Sequence, residues 1–247
     1  MRVEGVHKIF PGGVTAVGGV DLDIAEGAFV ALLGPSGCGK STLLRLIAGL
    51  DRPTLGTIQS SPDAQNPARP AVAFVFQDAH LLPWRRVLDN VALPLELAGL
   101  PASERRQIAR EALANVGLED AILRYPAELS GGMRMRASLA RALVTNPRLL
   151  LLDEPFGALD ELTRNRLDDD LRALWIEKAM TVLFVTHSIS EAVYLAERAV
   201  VFSRRPARVI ADRAIDLPRA RSAKTRLEPA FAAEVQALYE ALVQAGA

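Results

Sequence analysis

The chain has 247 residues, half of them hydrophobic, with 29 basic and 29 acidic side chains. That length covers one large domain or a domain with an inserted lobe, and the balanced charge offers neither a basic face for nucleic acid nor a polybasic anchor for anionic lipid. The single cysteine, Cys38, rules out an intrachain disulfide and suits a reducing compartment.

Met1-Arg2-Val3-Glu4-Gly5 carries no apolar signal region. No stretch approaches the ~20 uninterrupted apolar residues of a membrane-spanning helix. The chain therefore reads as cytosolic, with any membrane association running through a partner.

Residues 14–24 alternate loosely and end at Glu26-Gly27, a turn signal. Residues 28–33 form a continuous apolar run of strand length, the pattern of a strand buried on both faces. A glycine loop follows directly. Residues 40–50 then read as a helix with Leu43, Leu44, Ile47 and Leu50 on one face and Gly49 near its end. Residues 51–70 are rich in Pro, Ser, Asp and Asn and read as loop or short edge strands; residues 71–76 read as another buried strand.

After Gln77 the composition turns helical as far as residue 145. Residues 103–116 place Ile108, Ala112 and Val116 at helical spacing, with Gly117 as a stop. Ser130 reads as the N-cap of a helix over 133–144. Strand patterns return at 149–152, 182–185 and 200–202, interleaved with helices near 164–178 and 190–198. The order predicts a parallel α/β sheet with a helical insertion. Residues 229–245 read as an amphipathic helix whose stripe, Phe231, Val235, Leu238 and Leu242, covers the core or meets a partner.

Gly34-x4-Gly39-Lys40-Ser41 fits a phosphate-binding loop in its required context, a strand before and a helix after. Glycines let the backbone curl so that N–H groups point inward, and the following helix adds its partial positive charge. Lys40 supplies a full charge for the β- and γ-phosphates, and the Ser41 hydroxyl suits Mg²⁺. Cys38 lies inside the loop, so a bound nucleotide should shield its thiol. Leu149–Leu152 delivers Asp153 and Glu154 to a strand's C-terminal end, the edge where parallel α/β sheets bind ligands. Asp153 there suits Mg²⁺ and Glu154 an attacking water.

Leu129-Ser130-Gly131-Gly132 stands between the glycine loop and the acidic strand end. Together with Asp153-Glu154-Pro155-Phe156-Gly157-Ala158-Leu159-Asp160, it resembles the ATPase subunits of ATP-binding cassette (ABC) transporters over roughly residues 2–215. The resemblance implies a RecA-like P-loop NTPase core with a parallel central sheet, an N-terminal antiparallel β subdomain and an inserted helical signature subdomain. The expected division is core at 1–78 and 146–218, helical lobe at 79–145 and a helical extension at 219–247.

It also implies the site. ATP is held by Gly34, Pro35, Ser36, Gly37, Cys38, Gly39, Lys40, Ser41 and Thr42. Phe10 stacks on adenine, or else is a core aromatic. Mg²⁺ is held by Ser41, Gln77 and Asp153. Glu154 is the base, His187 the switch histidine, and Asp160 helps position the opposing subunit. Ser130, Gly131 and Gly132 are offered to ATP on a second copy. The chain accordingly reads as an ATP hydrolase that dimerises around ATP at the cytoplasmic face of a bacterial inner membrane. It powers solute import through permease subunits and, indirectly, a solute-binding protein; nucleic acid is not an expected partner.

His80-Leu81-Leu82-Pro83-Trp84-Arg85 and Ser203-Arg204-Arg205-Pro206-Ala207-Arg208-Val209 are similar to the nitrate, sulfonate and taurine importers. Trp84 either docks a membrane partner or anchors its own lobe. The sequence departs from the family pattern at Met133 and Met135, where glutamines are common, and at Ser188, where Asp is common. The alternative is a soluble, non-transport cassette ATPase. Those usually carry two cassettes or a coiled-coil insertion, and this chain has one P-loop and no heptad run. A GTPase would want Asn-Lys-x-Asp, which is absent.

Overall fold

A computed structural model describes residues 1–59, 72–157 and 159–246. In chain order it runs β1 (Arg2–Ile9), β2 (Thr15–Asp23), β3 (Phe29–Leu33), α1 (Lys40–Ile47) and β4 (Leu55–Gln59). Next come β5 (Val72–Val75), α2 (Val87–Val91), α3 (Leu93–Leu97), α4 (Ala102–Ala114), α5 (Gly131–Leu143) and β6 (Leu149–Asp153). The chain closes with α6 (Glu161–Lys178), β7 (Thr181–Val185), α7 (Ile189–Leu195), β8 (Arg198–Phe202), β9 (Val209–Ala214) and α8 (Pro229–Gln244). Two compact units result, Met1–Ser61 with Asn165–Ala247, and Pro62–Arg164.

The first unit contains two sheets. One is antiparallel, in the order β2–β1–β4; in the other β7, β3 and β8 run parallel and β9 closes the edge antiparallel to β8. Every residue of β3 and of β7 is buried, as the apolar runs 29–33 and 182–185 require for strands covered on both faces, and Thr181 at the start of β7 accepts from the Gly27 N–H at 3.0 Å. Phe29 on β3 meets Trp175 and Phe184 edge-on, with ring centroids 5.7 and 6.2 Å away. The Trp175 indole N–H donates to the Gly27 carbonyl at 3.0 Å, which satisfies the one polar atom of a fully buried ring.

α8 packs on α7 and β8 through Phe231 and Leu238, so the first half of its stripe covers the core. The approach to α8 is fixed by Arg221, whose Nη1 donates to the carbonyls of Val193, Tyr194 and Ala196 at 2.6, 2.9 and 2.9 Å. A cation there answers the open carbonyls at the end of α7.

In the second unit β5 lies parallel to β6, and α2, α4 and α5 pack around Val87, Val91, Leu113, Ala137 and Ala140. Truncating Leu113, which is fully buried there, costs ~2–5 kcal/mol by the usual scale for core leucines. Asn90 is buried, and its amide holds the preceding loop. Its Oδ1 accepts from the Leu82 N–H at 2.7 Å, and its Nδ2 donates to the carbonyls of Leu82, Arg85 and Arg86 at 3.1, 2.9 and 3.2 Å.

Some elements differ from their sequence expectation. Helix α1 stops at Ile47 because Gly49 turns left-handed at φ 70°, which leaves Leu50 exposed rather than on the buried face. The described part of β5 is only partly buried up to Val75. Ala71 and the loop over 60–70 lie outside the described residues, as does Ala158. The helix expected at 190–198 ends at Leu195, since Arg198 already belongs to β8.

Candidate active site

In the first unit, the glycine loop joins β3 to α1. Gly39 takes φ 129°, and a Cβ there would lie 2.4 Å from the Ala16 carbonyl oxygen, so no larger residue fits without moving the backbone. Lys40 opens α1 and is only 4% exposed. Its Nζ donates to the carbonyls of Gly34 at 2.7 Å and Pro35 at 3.0 Å. A buried ammonium needs such acceptors, and an arriving phosphate can take their place. Cys38 is 2% exposed and 3.9 Å from that ammonium, so the loop itself shields the thiol before any nucleotide does. Arg205 closes the loop from outside, donating from Nε and Nη2 to the Gly37 carbonyl.

Leu32 on β3 pairs with Val185 on the neighbouring parallel strand β7. Gly34 and His187 each follow two residues later, so they leave adjacent strands at the same edge, with strands spaced about 5 Å apart. His187 is exposed, and the turn beneath it is knotted by side chains. The Ser188 N–H donates to Thr186 Oγ1 at 2.9 Å, Thr186 Oγ1 donates to Glu191, and Ser188 Oγ accepts from the Glu191 N–H at 3.3 Å. Ser188 thus N-caps α7, a role in which Ser and Asp are equivalent. The departure from Asp at this position keeps the cap.

The second unit repeats the strand-end device. Val75 pairs with Leu152, and Gln77 and Glu154 each follow two residues later. Gln77 is exposed, and Asp153 and Glu154 are partly buried. Glu154 adopts φ 46°, a left-handed backbone that costs a non-glycine residue of order 1 kcal/mol or more and clusters at functional sites. It ends β6 abruptly and turns the chain away from the strand.

Ser130 caps α5, with Oγ accepting from the Met133 N–H at 3.3 Å. Ser130 and Gly131 are exposed, and a Cβ on Gly131 would meet nothing within 4 Å, so the start of α5 is open. Gly132 is closed on one side by Thr163 and Leu159. Asp160 caps the neighbouring α6 by accepting from the Thr163 N–H at 3.0 Å, and that bond holds its carboxyl below the usual carboxylate range. Met135 is 6% exposed, a buried apolar position where a glutamine amide would need a partner. Met133 packs against the helical cluster.

Phe10 follows β1 and is 38% exposed, with the Lys8 ammonium 5.3 Å from its ring centroid. It is not a core residue. Trp84 is 71% exposed, so it does not anchor its own lobe. Among the described residues no three His, Cys, Asp or Glu side chains cluster to hold a metal unaided. Magnesium that arrives with a nucleotide needs only one or two protein oxygens beside phosphates and waters. The Ser41 hydroxyl in the first unit and the Asp153 carboxylate in the second are each oxygens of the kind such an ion takes.

The ABC transporter family model matches residues 17–157, more than half of the chain. The chain belongs to the ABC transporter family. The aliphatic sulfonates import ATP-binding protein SsuB of Ralstonia nicotianae is 50% identical over 226 residues, covering 92% of this chain and 76% of that protein. Its counterpart from Zymomonas mobilis is 48% identical over 222 residues, covering 90% and 88%. An uncharacterised ABC transporter ATP-binding protein of Methanocaldococcus jannaschii is 45% identical over 232 residues, covering 92% and 86%.

Among solved structures, an ATP-binding cassette in a dimeric post-hydrolysis state bound to ADP and Pi superposes with a TM-score of 0.77 at 34% identity, covering 88% of this chain and 99% of that one. This ABC chain is accordingly an ATP-binding domain and an ATPase.

The sequence alone gives Asn90, Thr186 and Arg205 no role of their own and does not single out Arg141 or Glu191. Arg141, Asn90 and Arg205 bond backbone carbonyls, and such pairings leave no residue-type pattern to read.

Proposed function

We propose that this ABC ATPase is the energising subunit of an importer for aliphatic sulfonates or similar small organic anions. The observation that carries the solute class is the run of sulfonate-import relatives at 46–50% identity over nine-tenths of the chain. The anion itself is handled by partner subunits, so its identity rests on kinship rather than on a pocket in this chain. Among the described residues no helix is long and apolar enough to cross a membrane. That fits a subunit attached to the membrane through permease subunits, with the exposed Trp84 a suitable contact for them.

In this reading Lys40 releases the Gly34 and Pro35 carbonyls to hold the β- and γ-phosphates. Mg²⁺ would be held by Ser41, Asp153 and Gln77 and would supply charge neutralisation at the phosphates. Glu154 accepts a proton from the attacking water, Gln77 orients that water, and His187 donates to the γ-phosphate. Phe10 stacks on the adenine. A second copy contributes the Ser130 hydroxyl and the open N–H groups at Gly131 and Gly132, backed by the dipole of α5. ATP then favours the closed pair, and hydrolysis releases it.

The test is the ATPase rate of the chain reconstituted with its permease and solute-binding protein. A sulfonate should raise the rate severalfold. A response to a chemically unrelated solute would replace the substrate class, and failure of any membrane subunit to co-purify would favour the soluble cassette alternative.

A further inference from the structure

Among the described residues the pairing of β5 with β6 ends at Val75, before the segment that carries Gln77. The carbonyls of that segment still need donors. Arg141, in the last turn of α5, supplies them, with Nη2 donating to the Ala79 carbonyl and Nη1 to the His80 carbonyl, each at 2.8 Å. His80 turns left-handed at φ 43°, and its ring lies 5.3 Å from that of Phe76, which stacks on Phe74 at 4.3 Å. The chain is thus folded back on itself so that two consecutive carbonyls face one helix. Further along, Asn90 binds the backbone of Leu82, Arg85 and Arg86 from α2. Between β5 and α2 the chain is therefore held largely by side chains, Arg141 at its start and Asn90, Arg85 on Glu96 and Arg86 on the Leu123 carbonyl towards its end.

We propose that Arg141 is a positioning residue for Gln77: its guanidinium fixes the Gln77 loop to α5, so that Gln77 moves as one body with the Ser130–Gly132 end of the same helix. Gly132 and Arg141 are nine positions apart along α5, a rise of about 14 Å. A rigid helix carries a displacement over that length without loss. The group that orients the attacking water on one ATP is thereby tied to the group presented to the other ATP of a pair.

Only a planar fork reaches two successive carbonyls at once; a lysine ammonium reaches one. Burial lowers the pKa of Arg141 below the usual guanidinium value, the mark of a charge kept inside for its bonds and not for solvation. The inference rests on the reading of Gln77 as the residue that orients water.

The experiment is a double-mutant cycle on the full chain with Arg141→Lys and Gln77→Ala, reading kcat and KM for ATP hydrolysis together with hydrogen exchange at residues 78–82. Arg141→Lys keeps the charge and the stem, so it keeps the fold even where Arg141→Ala does not. The expected result is at least a tenfold fall in kcat for Arg141→Lys, KM within about twofold, and faster exchange at 78–82. With Gln77→Ala already present, the added effect of Arg141→Lys on kcat should shrink below about twofold. An equal fall in both backgrounds, or a raised KM with kcat intact, overturns the positioning role while leaving Gln77 its function. If Gln77→Ala leaves kcat unchanged, the reading of Gln77 itself fails, and the role of Arg141 with it.

Discussion

Arg205 grips Gly37: its Nε and Nη2 lie 3.1 and 2.8 Å from the Gly37 carbonyl oxygen, across 168 residues of sequence. Gly37 is a left-handed residue at the tip of the glycine loop, φ 72°, with no sheet or helix to hold it. The guanidinium therefore fixes the loop in its curled form before nucleotide arrives, and a preorganised loop binds with less ordering cost.

Arg205→Ala should weaken ATP binding. Arg205 is exposed, so the bond is discounted against water to about 1 kcal/mol or less, a severalfold change in Kd. At saturating ATP the turnover should be unaffected, because Arg205 touches no reacting atom in the proposed mechanism. Titration of ATP against both proteins checks the split.

Gly39→Ala should be far more damaging. The added Cβ would meet the Ala16 carbonyl oxygen at 2.4 Å, on a backbone at φ 129° that L residues avoid. Strain of ~1–3 kcal/mol from the backbone alone is expected, with the clash on top. Nucleotide binding should be lost together with several degrees of melting temperature, as read by calorimetry with and without ATP.

Asp168 gives the fold a pH dependence. Burial pushes its carboxyl up to about 8, Glu191 nearby adds to the rise, and the Arg226 guanidinium at 3.1 Å pulls against it. An unfolded Asp titrates near 3.9. Between about pH 4 and 8 the folded chain therefore holds a proton that the unfolded chain has released, so stability falls as pH rises through that window and levels off above it. Asp168→Asn removes this slope, and Arg226 keeps Asp169 at 3.0 Å as a partner. Melting temperatures of the two proteins should diverge from pH 5 to pH 8.5, the variant gaining; parallel curves would show that Asp168 is ionised throughout.

Ser130→Arg places a long cation on the exposed start of α5. The helix loses a cap bond of 3.3 Å, worth ~1 kcal/mol, which the unit tolerates. ATP binding by a single copy should persist, since the glycine loop belongs to the other compact unit. ATP-driven pairing should disappear. Normal dimers on a sizing column would remove Ser130 from the trans contact.

The elements that were legible in the sequence are those whose pattern is local. β3 and β7 read as unbroken apolar runs because both faces are covered, and α5 announced itself through its Ser130 cap. β1 is harder to read, because a left-handed Gly5 and register shifts break the alternation between Val3 and Val6. β9 is an edge strand with alternating half-buried and exposed positions, and Asp212-Arg213 interrupts its short apolar start. Leu50 looked like a core leucine only as long as the helix was extended past Gly49.

The strand-end positions were legible in each unit, Gly34 and His187 in the first and Gln77, Asp153 and Glu154 in the second, because each follows an apolar run or a glycine pattern. Arg141, Asn90 and Arg205 were not, because what they bind is backbone, far away in sequence and invisible as residue type. Met135 looked like a departure from pattern and is explained by burial.

The most direct measurement is the molecular mass of Glu154→Gln in solution, by sedimentation or light scattering, with and without Mg-ATP. That substitution removes the proton acceptor and keeps the shape, so bound ATP is not consumed. The expected result is a monomer without nucleotide and, at saturating Mg-ATP, a particle of twice the monomer mass holding two unhydrolysed ATP molecules. A monomer that binds ATP stoichiometrically and stays a monomer, or a variant that still hydrolyses ATP at the wild-type rate, would contradict the sandwich with Glu154 at its chemical centre.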